Sequence, residues 1–265
     1  MHYDADFEKE LERRLEPLRN LKNYEAWLSW FKNAEKRAEV YILKMKPFLK
    51  QISGLTVLDV GCGIGGACLA LANLANLVVG IEINPLAIPL AKLKAKKAVK
   101  GAIDFILASG LNMPFRRGSF NLVICNDVLE HVDDKDKLLK EINSVLAKNG
   151  HLFLTTPNKL YPVEPHTGMF GLTLLPRRIA NKIASLKFKM NADLPSLVTY
   201  KELVKLLTKN SFSHLINHPD WLLYENTPLL RGLTRVAKIR PFLWFLTLFS
   251  PLFTVLAKKW SSSSS

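Results

Sequence analysis

The run Val57-Leu58-Asp59-Val60-Gly61-Cys62-Gly63-Ile64-Gly65-Gly66 constrains this chain more than any other stretch. Apolar and β-branched residues end in a burst of glycines, and a helix-compatible run, Ala67 to Ala75, follows at once. That is a strand, a tight turn and a helix start. Glycines there let the backbone reach contact distance of a ligand and adopt positive φ without a Cβ penalty. The helix start behind them offers free N–H groups. Gly61, Gly63 and Gly66 also satisfy G-x-G-x-x-G, the dinucleotide pattern. Asp59 argues against that ligand, because its charge would face a pyrophosphate at short range. An ammonium or hydroxyl ligand suits the carboxylate better.

Downstream, strand and helix patterns alternate, which predicts a parallel sheet wrapped by helices. Strands are predicted at Thr56–Val60, Leu77–Ile83, Ile103–Leu107, Leu122–Cys125, His151–Thr155 and Phe212–Asn217. Pro85 opens a helix running to Lys97. A second helix starts on Asp133 or Asp134, carries Leu138, Leu139, Ile142, Val145 and Leu146 at helical spacing, and stops at Asn149-Gly150. Thr199 and Glu202 make a capping box for a helix over Tyr200–Asn210. A seventh strand is best placed at Trp221–Tyr224.

Four chemical features fall at the strand ends. Glu82 closes strand two about twenty residues after the glycine turn, where a carboxylate can accept hydrogen bonds from ribose hydroxyls. Leu107-Ala108-Ser109-Gly110-Leu111-Asn112-Met113-Pro114-Phe115 follows strand three. Cys125-Asn126-Asp127-Val128-Leu129-Glu130-His131-Val132 follows strand four. Beyond strand five, Thr156-Pro157-Asn158 leads to Glu164-Pro165-His166-Thr167-Gly168, and ligands of such sheets bind outside the carboxyl ends of strands.

As a set, in this order and spacing, these motifs resemble the class I S-adenosylmethionine-dependent methyltransferases, in the small-molecule, quinone-biosynthesis-like branch. The resemblance covers about residues 55 to 156 well. It implies an α/β fold: a Rossmann-like, doubly wound, mostly parallel sheet with flanking helices, a helical N-terminal extension and an inserted, partly helical substrate region. It implies S-adenosyl-L-methionine as cofactor, held by Asp59, Gly61, Cys62, Gly63, Gly65, Glu82, Ile83, Ser109, Gly110, Leu111, Asn126 and Asp127. Ser109 departs from the family, which often has an aspartate there. A hydroxyl bonds the base more weakly, so the N–H of Gly110 or Leu111 carries more of that contact.

The candidate catalytic bases are His131, whose pKa lies near neutrality, and, as second choices, Glu164 and His166 in the loop beyond strand five. Some relatives hold a divalent metal with an acid, a Glu and the adjacent His, and Asp127, Glu130 and His131 match those positions in character. The expected reading has no metal. A base matters only when the acceptor is a hydroxyl that must lose its proton.

The expected organisation is a helical cap over 1–52, a methyltransferase core over 53–157 and 199–224, an acceptor-pocket insertion over 158–198, and a basic, apolar tail over 225–265. The cap has Leu11, Leu15 and Leu18 on one stripe, with Tyr24, Trp27, Trp30, Phe31 and Tyr41 adding bulk. Lys92, Lys94, Lys96, Lys97 and Lys100 read as a solvated face. In the tail, the run from Phe242 to Ala257 is nearly all apolar, contains Pro251, and lies between Arg231, Arg235, Lys238 and Arg240 on one side and Lys258 and Lys259 on the other. It is short for a membrane span of about 20 residues. It reads instead as an interfacial segment over 231–259 meeting an anionic membrane surface, with burial in the protein as the alternative.

The net charge of +14 predicts anionic partners without choosing among them. Asn-Pro-Pro-aromatic and Pro-Cys pairs, used for nucleic-acid amino and base-carbon methylation, are missing after strand four. Nucleic acid therefore ranks below a small-molecule or lipid-like acceptor, methylated at oxygen. The rivals are an RNA methyltransferase, a non-catalytic cofactor-binding module tethered to a membrane, and a nicotinamide oxidoreductase. Cys62, Cys68 and Cys125 have no C-x-x-C spacing and read as reduced thiols. With the polar, acidic N-terminus, they give a cytoplasmic expectation, peripheral at the inner membrane face.

Overall fold

The computed structural model describes residues 5–16, 29, 33–46, 51–98, 101–188, 193–216 and 250–260. It divides into two compact units, residues 1–124 and 125–265. Among the described residues there are seven helices and seven strands, and the strands form one sheet in the order β3-β2-β1-β4-β5-β7-β6.

The first unit holds α1 (Ala5–Leu15), α2 (Ala34–Met45), β1 (Thr56–Val60), α3 (Gly66–Ala72), β2 (Leu77–Glu82), α4 (Ala87–Ala98), β3 (Ile103–Leu107) and the start of β4 (Phe120–Asn126). β1 pairs in parallel with β2 and with β4, and β2 pairs in parallel with β3. Val57, Leu58, Val78 and Ile81 are fully buried, as strands covered on both faces require. The N-terminal extension packs on the glycine turn: Phe7 and Leu11 of α1 share a core cluster with Ile64, Ala87 and Leu90. Leu18, Tyr24, Trp27, Trp30 and Phe31 lie outside the described residues.

The lysine-rich helix α4 departs from the sequence reading. Lys94 is buried rather than solvated. Its ammonium pairs with Glu35 of α2 and stands 4.9 Å over the Phe7 ring. A cation can sit there because a carboxylate and an aromatic face replace its water.

The second unit continues through a 3-10 turn at Leu129–His131, α5 (Lys135–Val145), β5 (Leu146–Pro157), a 3-10 turn at Leu172–Leu174, α6 (Arg177–Phe188), α7 (Tyr200–Lys209), β6 (Phe212–Ile216) and β7 (Leu252–Lys259). Asp134 caps α5 through Lys137 N–H, and the Thr199–Glu202 capping box opens α7. α5 ends at Val145, ahead of the expected Asn149-Gly150 stop, and Asn149 instead takes a positive φ of 63° inside β5.

The main correction concerns the tail. Within it, Leu252–Lys259 is a strand and not a helix. This seventh strand is antiparallel to β5 on one side and β6 on the other. Phe253, Thr254, Val255, Leu256 and Ala257 are buried. A strand covered on both faces reads as a continuous apolar run, and periodicity alone does not separate it from a helix. The basic flank also has a different use. The Lys259 ammonium donates to the carbonyls of Asn143 and Leu146, both at 2.7 Å, and so closes the C-terminal end of α5. Trp221–Tyr224 and residues 217–249 lie outside the described residues. No described helix is long and apolar enough to cross a membrane.

Candidate functional site

In the first unit the site is built on the β1–α3 turn. Gly61 and Cys62 N–H both donate to the Ile81 carbonyl of β2, at 2.8 and 3.0 Å, which locks the turn onto the neighbouring strand. Gly65 at φ 83° cannot carry a side chain, because a Cβ would stand 2.8 Å from the Phe105 ring. Gly63 differs. Its φ of 53° favours glycine, and nothing lies within 4 Å of where its Cβ would be. The backbone at Gly63 thus borders open space that a side chain would fill. A cradle for a close-approaching ligand needs this arrangement.

Glu82 meets this cradle. One carboxylate oxygen accepts from Gly63 N–H at 2.9 Å, and the other accepts from Ile83 and Asn84 N–H, each at 2.8 Å. Three of about four lone-pair sites are used, which leaves capacity for a hydroxyl. Ile83 is well exposed, and so is Leu107, which the register Glu82↔Leu107 places on the adjoining strand. Two exposed apolar side chains at neighbouring strand ends suit the flat face of a base. Sequence reasoning missed Leu107, whose strand position gave no sign that it would be uncovered. Ser109 and Leu111 lie just beyond, with the Ser109 hydroxyl accepting from Leu111 N–H at 3.2 Å. That bond engages the hydroxyl within its own turn, and Ser109, Gly110 and Leu111 stay partly exposed.

Asp59 sits deeper than the sequence suggests. It is 4% exposed and accepts from the Cys68 thiol at 3.3 Å. Burial pushes its carboxyl up to about 7, against the thiol's hydrogen bond and helped by the negative charge of Glu82. Asp59 therefore supports the turn from beneath and is not an open contact. Burial and the neighbouring Glu82 charge oppose ionisation of Asp59, a setting that a cationic ligand relieves. The open cradle, the acidic pair and the exposed apolar strand ends together fit a nucleoside bearing a sulfonium and an ammonium.

The second unit holds a separate cluster. Asn126 ends β4 and Asp127 follows at φ 54°, a left-handed turn that Asp tolerates better than most residues. Asp127 N–H donates to the Thr155 carbonyl at 3.0 Å, and the Thr155 hydroxyl donates to the Asp127 carboxylate at 2.9 Å. The same hydroxyl lies 3.3 Å from the Asn126 side-chain oxygen.

Glu130 is 1% exposed. One of its oxygens accepts from the Thr156 hydroxyl at 3.1 Å, and the other is buried without a partner. Burial, then the charge of Asp127, pushes this carboxyl up to about 7. Thr155 and Thr156 were not singled out by the sequence reading. Hydroxyls at successive positions of a buried strand were the available signal.

The two candidate histidines, 35 positions apart in sequence, come together. Their rings meet edge to face with centroids 5.3 Å apart. Glu164, buried, accepts backbone bonds from His166 at 3.0 Å and Thr167 at 2.6 Å, and its other oxygen lies 3.1 Å from His166 Nδ1. Burial alone would raise the Glu164 carboxyl, but these hydrogen bonds outweigh it and hold it below the usual carboxylate range. A charged Glu164 makes Nδ1 the donor and leaves Nε2 as the basic nitrogen.

The hydrogen bond to Glu164 raises the His166 pKa above its ordinary value. Desolvation opposes this, and the charges of Glu164, Glu130 and Asp127 add to it. His131 moves the other way, lowered by desolvation and by the charges of His166 and Lys135. Among the described residues no group of three or more acids, cysteines and histidines has an arrangement that could hold a metal. The carboxylates of Asp127 and Glu130 accept from the hydroxyls of Thr155 and Thr156, and the His131 ring packs on His166.

Comparison with known proteins agrees with this layout. Residues 58–154 match the family model described as "Methyltransferase domain". Ajmaline N-methyltransferase of Rauvolfia serpentina is 35% identical over 100 residues, which is 37% of this chain and 34% of that protein. Ubiquinone biosynthesis O-methyltransferase of Pelagibacter ubique is 34% identical over 116 residues, 44% of this chain and 48% of that protein. The chain thus spans about a third to a half of the length of the curated relatives it matches. An S-adenosylmethionine-dependent methyltransferase from Mesorhizobium loti superposes with a TM-score of 0.60, covering 83% of this chain and 98% of that structure at 17% identity, a likeness of fold.

Proposed function

From the premise that residues 58–154 are a domain of the methyltransferase family, we propose that the chain is an S-adenosylmethionine-dependent enzyme that methylates a hydroxyl of a small or lipid-like acceptor. S-adenosylmethionine, when bound, supplies a methyl group already activated on a sulfonium. Glu82 is the residue that would take the ribose hydroxyls, with the backbone at Gly61, Cys62, Gly63 and Gly65 bordering the cofactor. Ile83, Leu107 and the Ser109–Leu111 turn would flank the base. Asp59 holds the turn from below. The remaining task is positioning, worth several orders of magnitude when nucleophile and electrophile are held in line.

The observation that carries the oxygen assignment is the Glu164–His166 pair. A base is superfluous for an amine that attacks as the free base, but a hydroxyl must lose a proton. The buried carboxylate fixes His166 Nδ1 as donor and raises the basicity of Nε2, as a general base requires. His131, packed edge to face on that ring, limits its rotation and is the second candidate base. Relatives that methylate nitrogen and relatives that methylate oxygen both match, so the acceptor atom rests on this pair and not on them.

The test has two steps. Titration calorimetry with S-adenosylhomocysteine should show binding that weakens in Glu82→Ala. Labelled S-adenosylmethionine should then carry counts from wild type into phenolic or alcoholic acceptors of a fractionated extract, and not in His166→Ala. Equal labelling by the two proteins, or labelling confined to amines, would remove the hydroxyl assignment. Failure of calorimetric binding would remove the enzyme reading itself.

A further inference from the structure

The exposed face of α6 presents an arrangement that the site does not use. Ala180 and Ala184 turn inward and join Leu172 and Leu194 in a small core. About a third of a turn round from that pair, Ile179, Ile183 and Leu186 are 51%, 36% and 73% exposed. Their spacing of i, i+4 and i+7 makes one continuous stripe. Helical geometry puts Arg178 and Lys182 along one border of that stripe and Lys187 along the other, and all three are exposed. The segment leading into the helix adds two further exposed apolar side chains, Phe170 and Leu174. Arg177, by contrast, is paired with Asp193 and is not part of the surface charge.

Charge identifies the occupant. Between Glu164 and Asp193 the sequence contains no acidic residue, while it contains Arg177, Arg178, Lys182, Lys187 and Lys189. A helix docking on a second protein of mixed charge has no need for this exclusion. An apolar stripe bordered only by cations is the pattern of a helix lying in the plane of a lipid interface, with side chains in the acyl boundary and ammonium groups on head groups. The length of α6, 12 residues, suits lying on a surface and not crossing it.

We propose that the α6 face, with Phe170 and Leu174 at its leading edge, is a docking surface for an anionic lipid bilayer. It occupies a different part of the chain from the tail segment that the sequence suggested, and it lies in the insertion that also carries Glu164 and His166. The inference does not depend on methyl transfer, since a cofactor-binding protein without turnover would use the face equally well.

The experiment is co-sedimentation of the full chain with phosphatidylcholine vesicles and with phosphatidylcholine–phosphatidylglycerol vesicles. The variants are Ile183→Asp/Leu186→Asp and Arg178→Glu/Lys182→Glu. The expected result is partition onto the anionic vesicles, weakened by salt as exposed charges are screened, and reduced about tenfold or more in either variant, with S-adenosylhomocysteine affinity unchanged. If the apolar pair disturbs folding, seen as lost cofactor affinity, the charge variant alone decides, because both its residues are exposed.

Wild type that ignores anionic vesicles would overturn the proposal, and so would variants that bind as wild type does, which would place lipid contact elsewhere in the chain. So would light scattering showing a dimer that Leu186→Asp dissociates, because the stripe would then belong to a second copy.

Discussion

Two buried carboxylates, Asp59 in the first unit and Glu130 in the second, are pushed to about the same value near 7, and burial is the leading cause in each. Their surroundings differ. Asp59 is beneath a glycine turn with a thiol donating to it and Glu82 acting as its charged neighbour. Glu130 has one threonine hydroxyl, one bare oxygen, and Asp127 as its neighbour. The first arrangement is set up for a cation from outside. The second is a proton-bearing group beside a histidine pair. On the proposed function, one physical device, a carboxyl kept from water, would serve ligand charge in one unit and proton chemistry in the other.

If that contrast holds, the two units should separate in kinetics. His166→Ala should cut turnover by about 10²–10⁴, the usual worth of a positioned base, while calorimetric affinity for S-adenosylhomocysteine stays at the wild-type value. Glu82→Ala should do the opposite in kind. It should weaken cofactor binding by about 1–3 kcal/mol through unpaired hydrogen-bonding groups, roughly 5–150-fold, and turnover at saturating cofactor should change much less. A His166→Ala protein that also loses cofactor affinity would merge the two functions and break the comparison.

The two units also differ in how much the sequence disclosed. The glycine turn, Asp59 and Glu82 lie within about two dozen positions and are joined by one strand–helix–strand step, so local pattern places them. Strand three was read from Ile103 to Leu107, as observed. The second unit depends on contacts between distant residues. Thr156 meets Glu130 across 26 positions, and His166 meets His131 through an insertion with no regular period. No spacing rule ties them, though Glu130, His131 and His166 were visible as chemistry. β7 was hidden for another reason. A strand covered on both faces loses the alternation that identifies it, and a lysine that closes a helix looks, in sequence, like one that meets a head group.

The pH profile sharpens the contrast further. His166 must be neutral to act as base, and Glu164 holds its pKa above the ordinary value. Turnover should therefore rise with pH through a midpoint above 6.5, the unperturbed value. Glu164→Gln removes the largest cause of that rise, so the midpoint should move to lower pH and maximal turnover should fall, because a weaker base remains. A midpoint below 6.5 that Glu164→Gln leaves in place would transfer the proton to His131, whose pKa desolvation lowers.

The last expected effects come from the two buried carboxyls themselves, read as stability against pH. Each has a folded-state pKa near 7, above the unfolded value of about 4. Such a group contributes stability that is fully present below its unfolded pKa and is lost as pH rises through the folded one. Wild type should thus lose stability between about pH 4 and pH 7 in chemical denaturation. Asp59→Asn and Glu130→Gln should each flatten that loss, since an amide has no proton to give up. Only Asp59→Asn should also weaken cofactor binding, because only that carboxyl lies under the cradle. The Glu130→Gln gain should be the smaller one: the new amide places two donors where the bare oxygen stood, and a buried donor without a partner costs about 1–3 kcal/mol. Equal slopes in wild type and both variants would mean that neither carboxyl is held protonated near neutrality, and the shared device on which the contrast rests would be gone.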